Sequence, residues 1–346
     1  MSQWMVKRNS APVVIQKTRP QKQAVLEAVS QVMEQANWRD FISHGADISV
    51  KPNLGWDKVI PGAISAPWVV EGVIITIRDY VGNISIVESN QVVCNADYAM
   101  RIAGIADICK RHNIPWVNMS KGDYVDYKDR DRLFIKNVKI PSILTRTELI
   151  TVPLMKTHNK TTITGAIKNQ WGCLQELRHN FHPELTRVLV DINCIIQPRF
   201  AVMDATVGLE GNGPKSGIPK EMNLVLASGN LVGIDATAAR IMGFDPNQID
   251  HLQKCAEHSL GSLNPPVLGQ QVDEIQSMFI PAKHNLVSVS EILLRNSFLS
   301  KLFFQTPVFN GLTWSTRRYY DLWDLFIGRK IRKSIQSSGY FEQFRI

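Results

Sequence analysis

Short apolar segments that alternate with helical patterns are the sequence feature that most constrains this fold. Their apolar residues follow one another instead of alternating with polar ones, which is typical of strands buried on both faces. Strands are predicted at 12–16, 47–50, 84–87, 116–119, 149–155, 200–203 and 223–227, and helices at 21–41, 67–80, 96–112, 183–196 and 231–242. This order predicts an α/β fold: a doubly wound, mostly parallel sheet with helices on both faces.

The alternation ends near residue 281, which divides the chain into two predicted parts. Residues 1–280 form an α/β core domain, and residues 281–346 form a basic, aromatic-rich helical C-terminal segment with helices at 287–299 and 319–337. The net charge is +8, and residues 315–346 supply +4 of it, from seven Lys or Arg and three acids. Because the charge is concentrated in one tail, a nucleic-acid groove along the whole protein is not favoured. A nucleic-acid partner is therefore not expected.

Two interpretations of the C-terminal helix stay open. Its apolar stripe beside basic residues is typical of a helix that lies on an anionic membrane surface, so peripheral membrane contact through residues 315–346 is one prediction. The favoured alternative is a terminal helix that packs on the core with its basic face in water. The N-terminus lacks the apolar region of a secretory signal, and no apolar run approaches the roughly 18 residues of a membrane span. We therefore expect a cytoplasmic protein, with membrane-peripheral contact left open.

Polar clusters follow four of the predicted strands. In doubly wound sheets, ligands bind outside the carboxyl ends of the strands, so we expect these clusters to line one cleft. Loops are polar in any protein, which would explain any single cluster, but two of the four carry a lysine where turns prefer Gly, Asn or Asp. The clusters are Lys51-Pro52-Asn53, Glu88-Ser89-Asn90, Lys156-Thr157-His158 and Asp204.

The segment 148–182 supplies most candidate residues for chemistry. A lysine ammonium suits phosphate or carboxylate and, when desolvated, acts as a base or nucleophile. The candidate catalytic residues are Lys156, His158, Lys168 and Asp204. The candidate ligand- or cofactor-binding residues are Lys51, Asn53, Asn90, Thr164, Gly165, Asn169 and Gly213. The glycine-rich run at 208–219 matches no nucleotide-binding motif and is interpreted as a mobile loop at the site.

Three histidines suggest a metal site. His158, His179 and His182, with Asp204 or Glu88, would suit a divalent metal, although isolated histidines are more often structural or solvated. The five cysteines form no C-x-x-C pair, so we expect reduced side chains and neither a disulfide framework nor a zinc knuckle.

At these motifs the sequence resembles the family called domain of unknown function 362, over roughly residues 45–260. Many members of that family carry a ferredoxin-like module, but this chain has no cluster-type cysteine run, so no iron–sulfur cluster is expected. The matching residues are Lys51-Pro52-Asn53, Lys156-Thr157-His158, Thr164 to Asn169, Gly172, Arg178, His182, Asp204, Gly213-Pro214, and Ala227 through Asp235-Ala236.

A more distant similarity is to lactate racemases, in which a histidine and a lysine after a glycine-rich stretch help to hold a nickel-pincer nucleotide. His158 and Lys168 fit that arrangement, and His179 or His182 fits the downstream metal-binding histidine. The leading hypothesis is an enzyme that binds an anionic carboxylate or phosphate, metal-assisted or not, and performs proton transfer or racemase-like chemistry. The alternative is a non-catalytic protein that binds and delivers a cofactor or metal, or docks on a membrane or partner.

Overall fold

The computed structural model describes residues 3–175, 178–283, 286–297 and 300–344. Within these residues the core is a ten-stranded mixed sheet with the principal order β12-β1-β11-β10-β7-β2-β3-β4, and β8 and β9 extend from β10. The strands are β1 (Val13–Lys17), β2 (Ile48–Lys51), β3 (Ile84–Glu88), β4 (Trp116–Asn118), β5 (Tyr124–Lys128), β6 (Asn137–Pro141), β7 (Glu148–Thr151), β8 (Leu154–His158), β9 (Thr162–Ile163), β10 (Phe200–Glu210), β11 (Ile218–Ser228) and β12 (Val267–Gly269).

Most strand pairings in the sheet are parallel, as the sequence predicts. The run β10-β7-β2-β3-β4 is parallel throughout, and β8 also pairs with β10 in parallel. The antiparallel pairings involve β11, which lies between β10 and β1, and the short strand β9. Strands β5 and β6 form a separate two-stranded sheet.

Helices cover both faces of the large sheet. One apolar core packs α2 and α3 on one face, and a second packs α7, α8 and α9 on the other. The helices are α1 (Gln3–Ser10), α2 (Lys22–Gln35), α3 (Pro67–Ile77), α4 (Ala96–Ile102), α5 (Ile105–His112), α6 (Gly165–Asn169), α7 (Leu185–Ile196), α8 (Leu231–Ile241), α9 (Asp250–Glu257), α10 (Val272–Ile275), α11 (Leu286–Asn296), α12 (Ser300–Gln305), α13 (Val308–Trp323) and α14 (Arg329–Ile335).

The predicted strand at 149–155 is in fact two strands. β7 ends at Thr151 and β8 begins at Leu154. Pro153 lies between them and has no N–H to donate to a neighbouring strand, which explains the interruption. The break moves Lys156 and His158 into β8, so that the segment's polar residues lie within a strand that reaches beyond β7.

The predicted mobile loop at 208–219 is largely a β-hairpin. β10 continues to Glu210 and β11 begins at Ile218, leaving a turn at 211–217. The prediction that β10 ends at Met203 is wrong because Asp204 is tolerated inside the strand. Its buried carboxylate accepts hydrogen bonds from the N–H groups of Ala66 and Thr206 and from the Thr206 hydroxyl, at 2.7–3.0 Å.

The C-terminal segment packs against the core at its far end. Ile335, Tyr340 and Phe344 are buried in the first apolar core, and the Tyr340 hydroxyl donates to Asn223 Oδ1 at 2.8 Å. α13 adds an edge-to-face contact between Trp56 and Tyr320, with ring centroids 4.8 Å apart. The favoured interpretation of a packed terminal helix agrees with these contacts, while the division at residue 280 stays a prediction.

We predict that Tyr340 anchors the end of the chain. Tyr340→Phe loses the hydrogen bond to Asn223 and is expected to lower the free energy of unfolding by about 1 kcal/mol. Tyr340→Ala also leaves a core cavity and is expected to cost about 3–5 kcal/mol. Urea unfolding measures both, with Trp314→Ala as an exposed aromatic control that costs about 0.5 kcal/mol or less. Equal unfolding midpoints for Tyr340→Ala and the control would show that the end of the chain does not dock.

Candidate functional site

Three of the four polar clusters meet in one buried cavity of about 80 Å³. Lys51, Glu88 and His158 are the last residues of β2, β3 and β8, so parallel strands bring them to the same edge of the sheet. Lys156, from β8, and Lys168 and Asn169, from α6, complete the polar lining. The predicted convergence of strand ends is therefore observed for these clusters.

One lysine of the cavity has a carboxylate partner. Lys51 Nζ lies 3.0 Å from Glu88 Oε2, and both side chains are buried. Asn169 Oδ1 lies 3.4 Å from the same ammonium and accepts a hydrogen bond from Asn53 Nδ2 at 3.0 Å. Gly172 leaves room for the pair, since a Cβ there would lie 2.8 Å from Lys51 Nζ. This arrangement neutralises Lys51 and fixes both amides.

Lys156 is buried without a carboxylate partner. Its ammonium donates to Asn53 Oδ1 at 2.9 Å and to the Ala63 carbonyl at 2.8 Å. Burial lowers the pKa of Lys156 to about 7, and the nearby ammonium groups of Lys215 and Lys168 lower it further in the same direction. A lysine with such a pKa exchanges protons near neutral pH.

Lys168 is buried in a similar environment. Its Nζ lies 4.9 Å from the centroid of the Trp171 ring, and no hydrogen-bond acceptor contacts it among the described residues. Burial lowers the pKa of Lys168 to about 7, and the charges of Arg178 and Lys160 contribute. The aromatic face stabilises the ammonium only in part, because a cation–π contact does not replace a counter-ion.

His158 lies between these lysines and the larger space outside. Its Nδ1 accepts a hydrogen bond from the Lys160 N–H at 3.0 Å, so we assign the proton of the neutral ring to Nε2. Burial and the Lys168 charge hold the pKa of His158 well below its ordinary value. At neutral pH this imidazole is uncharged and presents a hydrogen-bond donor.

The start of α6 is built around Asp235. Its buried carboxylate accepts from the N–H groups of Ala166 and Ile167 at 2.6 and 2.9 Å, and burial raises its pKa to about 7. Gly165 adopts a φ of +60°, and a Cβ there would collide with this carboxylate. Thr164 lines the small cavity, and its buried hydroxyl has no hydrogen-bond partner among the described residues. That hydroxyl is available to a ligand.

Three predicted residues lie outside the linings of both cavities: Gly165, described above, and Asn90 and Asp204. Asn90 Oδ1 accepts from the Ala96 N–H at 3.0 Å and from Asn118 Nδ2 at 3.2 Å. The Asp204 carboxylate accepts from the N–H of Ala66, just before α3. The side chains of Asn90 and Asp204 therefore hold the backbone in place. The predicted convergence was wrong for the cluster at Asp204, and in the Glu88-Ser89-Asn90 cluster it does not extend to Asn90. Gly213 does line the neighbouring larger cavity, packed closely against the Thr157 carbonyl.

The predicted metal ligands whose side chains the structure describes do not form a metal-binding set. His182 stacks on Trp171, with ring centroids 5.2 Å apart, and its Nδ1 lies 3.1 Å from Glu291 Oε1. The side chain of His179 lies outside the described residues. Among the residues that are described, no group of three or more His, Cys, Asp or Glu is arranged to hold a metal ion. The divalent metal stays a prediction.

Sequence reasoning missed Lys215, which lines both cavities from the β10–β11 turn. Its Nζ lies 4.9 Å from the Trp56 ring centroid, and burial lowers its pKa to about 8. The signal was present in Gly213-Pro214-Lys215-Ser216, a lysine inside a turn, which is the criterion that singled out Lys51 and Lys156. Because this run was interpreted as a mobile loop, the position of Lys215 next to the strand ends was not predicted.

The fold and site define an α/β protein with a lysine-lined pocket at the carboxyl ends of its strands. The chain matches the family described as Domain of unknown function (DUF362) over residues 48–240, more than half its length, and belongs to that family. Thylakoid-associated protein sll1697 from Synechocystis sp. (strain ATCC 27184 / PCC 6803 / Kazusa) is 26% identical over 237 residues, covering 65% of this chain and 71% of that protein.

No solved structure matches the chain. The comparisons do not support the similarity to lactate racemases, which stays a prediction. Among the described residues, none of the helices combines the length and the apolar character that crossing a bilayer requires.

The lowered lysine pKa values predict a pH dependence of stability. The unfolded chain binds a proton at Lys168 up to a pKa near 10.5, whereas the folded chain releases it near 7. Between these values the unfolded state holds more protons, so the free energy of unfolding rises with pH by up to about 1.4 kcal/mol per unit. Lys168→Met should reduce that slope, measured by urea unfolding between pH 7 and 9. Lys110→Met, at an exposed lysine of α5, should leave it unchanged, and equal slopes for both variants would refute the assignment.

Proposed function

We propose that this chain is an enzyme that binds an anionic small molecule, a carboxylate or a phosphate, in the lysine-lined pocket. One observation carries the proposal. Lys156, Lys168 and Lys215 line the same small cavity, and among the described residues no carboxylate lies within 4.0 Å of any of them. Buried charge without a partner is unfavourable, so an anion that enters the cavity would supply the missing counter-charge.

The proposed roles follow from the contacts. Lys168 binds the anion directly, since its ammonium has no competing hydrogen bond among the described residues. Lys156, with a pKa of about 7, is suited to take up and return a proton near neutral pH. His158 would donate through Nε2, while Asn53 and Asn169 orient Lys156 and Lys51. Proton transfer next to a carboxylate, as in racemase-like chemistry, is the leading reaction class, and this proposal does not require the predicted metal.

The binding step is tested with inorganic phosphate and isothermal titration calorimetry. We expect Lys168→Met to weaken phosphate binding at least tenfold and Lys168→Arg to retain most of it, because only the second keeps a cation. Affinity should fall as the pH rises from 6 to 9, since both buried lysines lose their protons near pH 7. Lys110→Met is the matched control. Unchanged affinity in Lys168→Met would exclude this pocket as the anion site.

The catalytic step is tested by proton NMR of 2-hydroxy acids incubated with the protein in D₂O. An enzyme of the proposed class exchanges the Cα proton for deuterium, and Lys156→Met should abolish that exchange while Lys110→Met retains it. Binding of these acids without exchange would favour the alternative of a non-catalytic protein that holds and delivers its ligand.

A second proposed property is docking on an anionic membrane surface. Trp314, Leu322 and Phe326 are about 60% exposed on the helical run of α13 and the π-helical turn after it. Exposed basic residues lie on the same run and its continuation: Arg317, Arg318, Arg329, Lys330 and Lys333. Exposed aromatic and aliphatic side chains beside cations fit a lipid interface. The name of the thylakoid-associated relative supports the same idea.

We predict that replacing Trp314, Leu322 and Phe326 together by Ser weakens binding to vesicles that contain phosphatidylglycerol. These side chains are exposed, so the fold should persist, whereas removing residues 315–346 would also remove the buried Tyr340. Vesicle flotation measures the effect, and Met278→Ser, at an exposed apolar residue elsewhere, is the control. If the triple variant floats as well as the unchanged protein, the membrane proposal fails.

A further inference from the structure

A second, larger cavity of about 530 Å³ adjoins the small one. The two share lining residues, among them His158, Lys168, Trp171 and Lys215. Its volume lies in the range of about 300–1,000 Å³ that is typical of pockets for organic ligands. An inorganic anion needs far less space than this. The larger cavity therefore has room for a part of the ligand that the small cavity does not hold.

The inner side of the larger cavity is basic. His158, Lys168 and Lys215 reach it from the shared boundary, and Arg178 and His182 line it from the segment after α6. Arg178 is buried and donates to the backbone carbonyls of Leu174 and Asn90 at 3.1 and 2.9 Å. An anionic group is thus favoured at this inner side and not across the whole cavity.

The outer side of the larger cavity comes from the C-terminal segment, and its large side chains are mainly apolar. Leu294 of α11, Phe304 of α12, and Phe309 and Leu312 of α13 line it, with Tyr319 and Tyr320 further along. Phe304 is buried, and the Arg295 guanidinium lies 4.1 Å from its ring centroid. No lysine or histidine of the C-terminal segment lines the cavity, as far as its described residues extend. Glu291 and Arg295 of the same segment also line the cavity, but they pair with each other at 2.9 Å. The lysines that line the cavity come from the core, whereas the C-terminal segment contributes mainly apolar side chains and this ion pair.

An ion-pair cluster holds the apolar side over the basic side. Glu291 of α11 lies 3.1 Å from Lys160 Nζ and 3.1 Å from His182 Nδ1, and it also accepts from Arg295 at 2.9 Å. Burial raises the pKa of Glu291, but the hydrogen bonds from His182 and Arg295 and the charge of Lys160 outweigh it and keep that pKa well below its ordinary range. Because Lys160 and His182 belong to the core and Glu291 to the C-terminal segment, these contacts join the C-terminal wall of the cavity to the core.

We infer that the ligand of this site is an anionic amphiphile, with a phosphate or carboxylate head among Lys156, Lys168 and Lys215 and an apolar tail against Leu294, Phe304, Phe309 and Leu312. The inference rests on the proposed anion site and names its substrate class. A small polar anion would leave the apolar wall facing water, whereas an apolar chain covers it. The basic side lies within the residues matched by the family, and the apolar wall lies outside them.

The test is a chain-length series with one head group. Inorganic phosphate, butyl phosphate, octyl phosphate and dodecyl phosphate are titrated below their micelle concentrations by calorimetry. Each buried CH₂ is expected to increase affinity by about fourfold until the wall is covered. If phosphate binds but affinity is independent of chain length, the inference fails and the proposed anion site stands. If neither phosphate nor any alkyl phosphate binds, the anion site itself fails.

Two wall variants test where the tail lies. Leu312→Trp keeps an apolar residue and fills space, so it should weaken dodecyl phosphate at least tenfold and leave inorganic phosphate unchanged. Phe309→Ala removes wall surface and should flatten the dependence on chain length. Val308→Ala is the matched control, because Val308 lies on the same helix but is exposed and does not line the cavity. Equal affinity of all three variants for dodecyl phosphate would overturn the assignment of the tail.

The source of the amphiphile is tested with phosphatidylcholine vesicles that contain phosphatidic acid. After incubation the vesicles are removed by sedimentation, and native mass spectrometry reads the mass of the protein left in solution. Added mass equal to phosphatidic acid, absent from Leu312→Trp, supports the site and a membrane source. If the protein retains dodecyl phosphate from solution but does not retain phosphatidic acid, the result supports the site and a soluble source. Retention of neither overturns the inference.

Discussion

The imbalance of buried charge at the strand ends is the constraint on which the site depends. Lys51 and Glu88 neutralise each other at 3.0 Å, and Glu88 is the one carboxylate that lines the small cavity among the residues described. Lys156, Lys168 and Lys215 then share a buried volume in which burial is the main cause that lowers the pKa of each ammonium, and nearby lysine or arginine charges act in the same direction. A fold retains such an arrangement at a cost in stability, which is characteristic of functional sites.

The fold and the core of this site were predictable because both follow from local sequence. Consecutive apolar residues indicate strands buried on two faces, and a lysine directly after such a strand must lie at the sheet edge. The position of Lys51, Lys156 and His158 beside one cavity at the strand ends follows for this reason, while their roles stay a prediction. Thr164, Gly165 and Asn169 follow because α6 begins within a few residues of β8 and cannot lie far from its end.

The positions of the remaining residues depend on contacts between distant parts of the chain, which local sequence patterns do not predict. Asp204 and Asn90 are residue types that often bind ligands, but their side-chain oxygens already accept backbone hydrogen bonds. Asp204 accepts from the N–H of Ala66, which is far away in sequence, and Asn90 accepts from the N–H of Ala96 in the next helix. The position of Lys215 depends on the long β10–β11 hairpin. Its strands continue beyond the apolar residues from which they were predicted. Glu291 joins the site only through pairing across the core and the C-terminal segment.

The two cavities also explain why the C-terminal segment needs more than one kind of surface. Its buried residues, such as Tyr340, attach it to the core, and its inward residues, such as Leu312, line the larger cavity. Its outward residues, such as Trp314 and Phe326, are apolar yet exposed. A helix that only closed the core would expose polar side chains there. An apolar outer face behind a largely apolar cavity wall would suit a segment that contacts lipid outside and holds an apolar chain inside. The proposed membrane surface and the proposed amphiphile site are then two sides of one structural element.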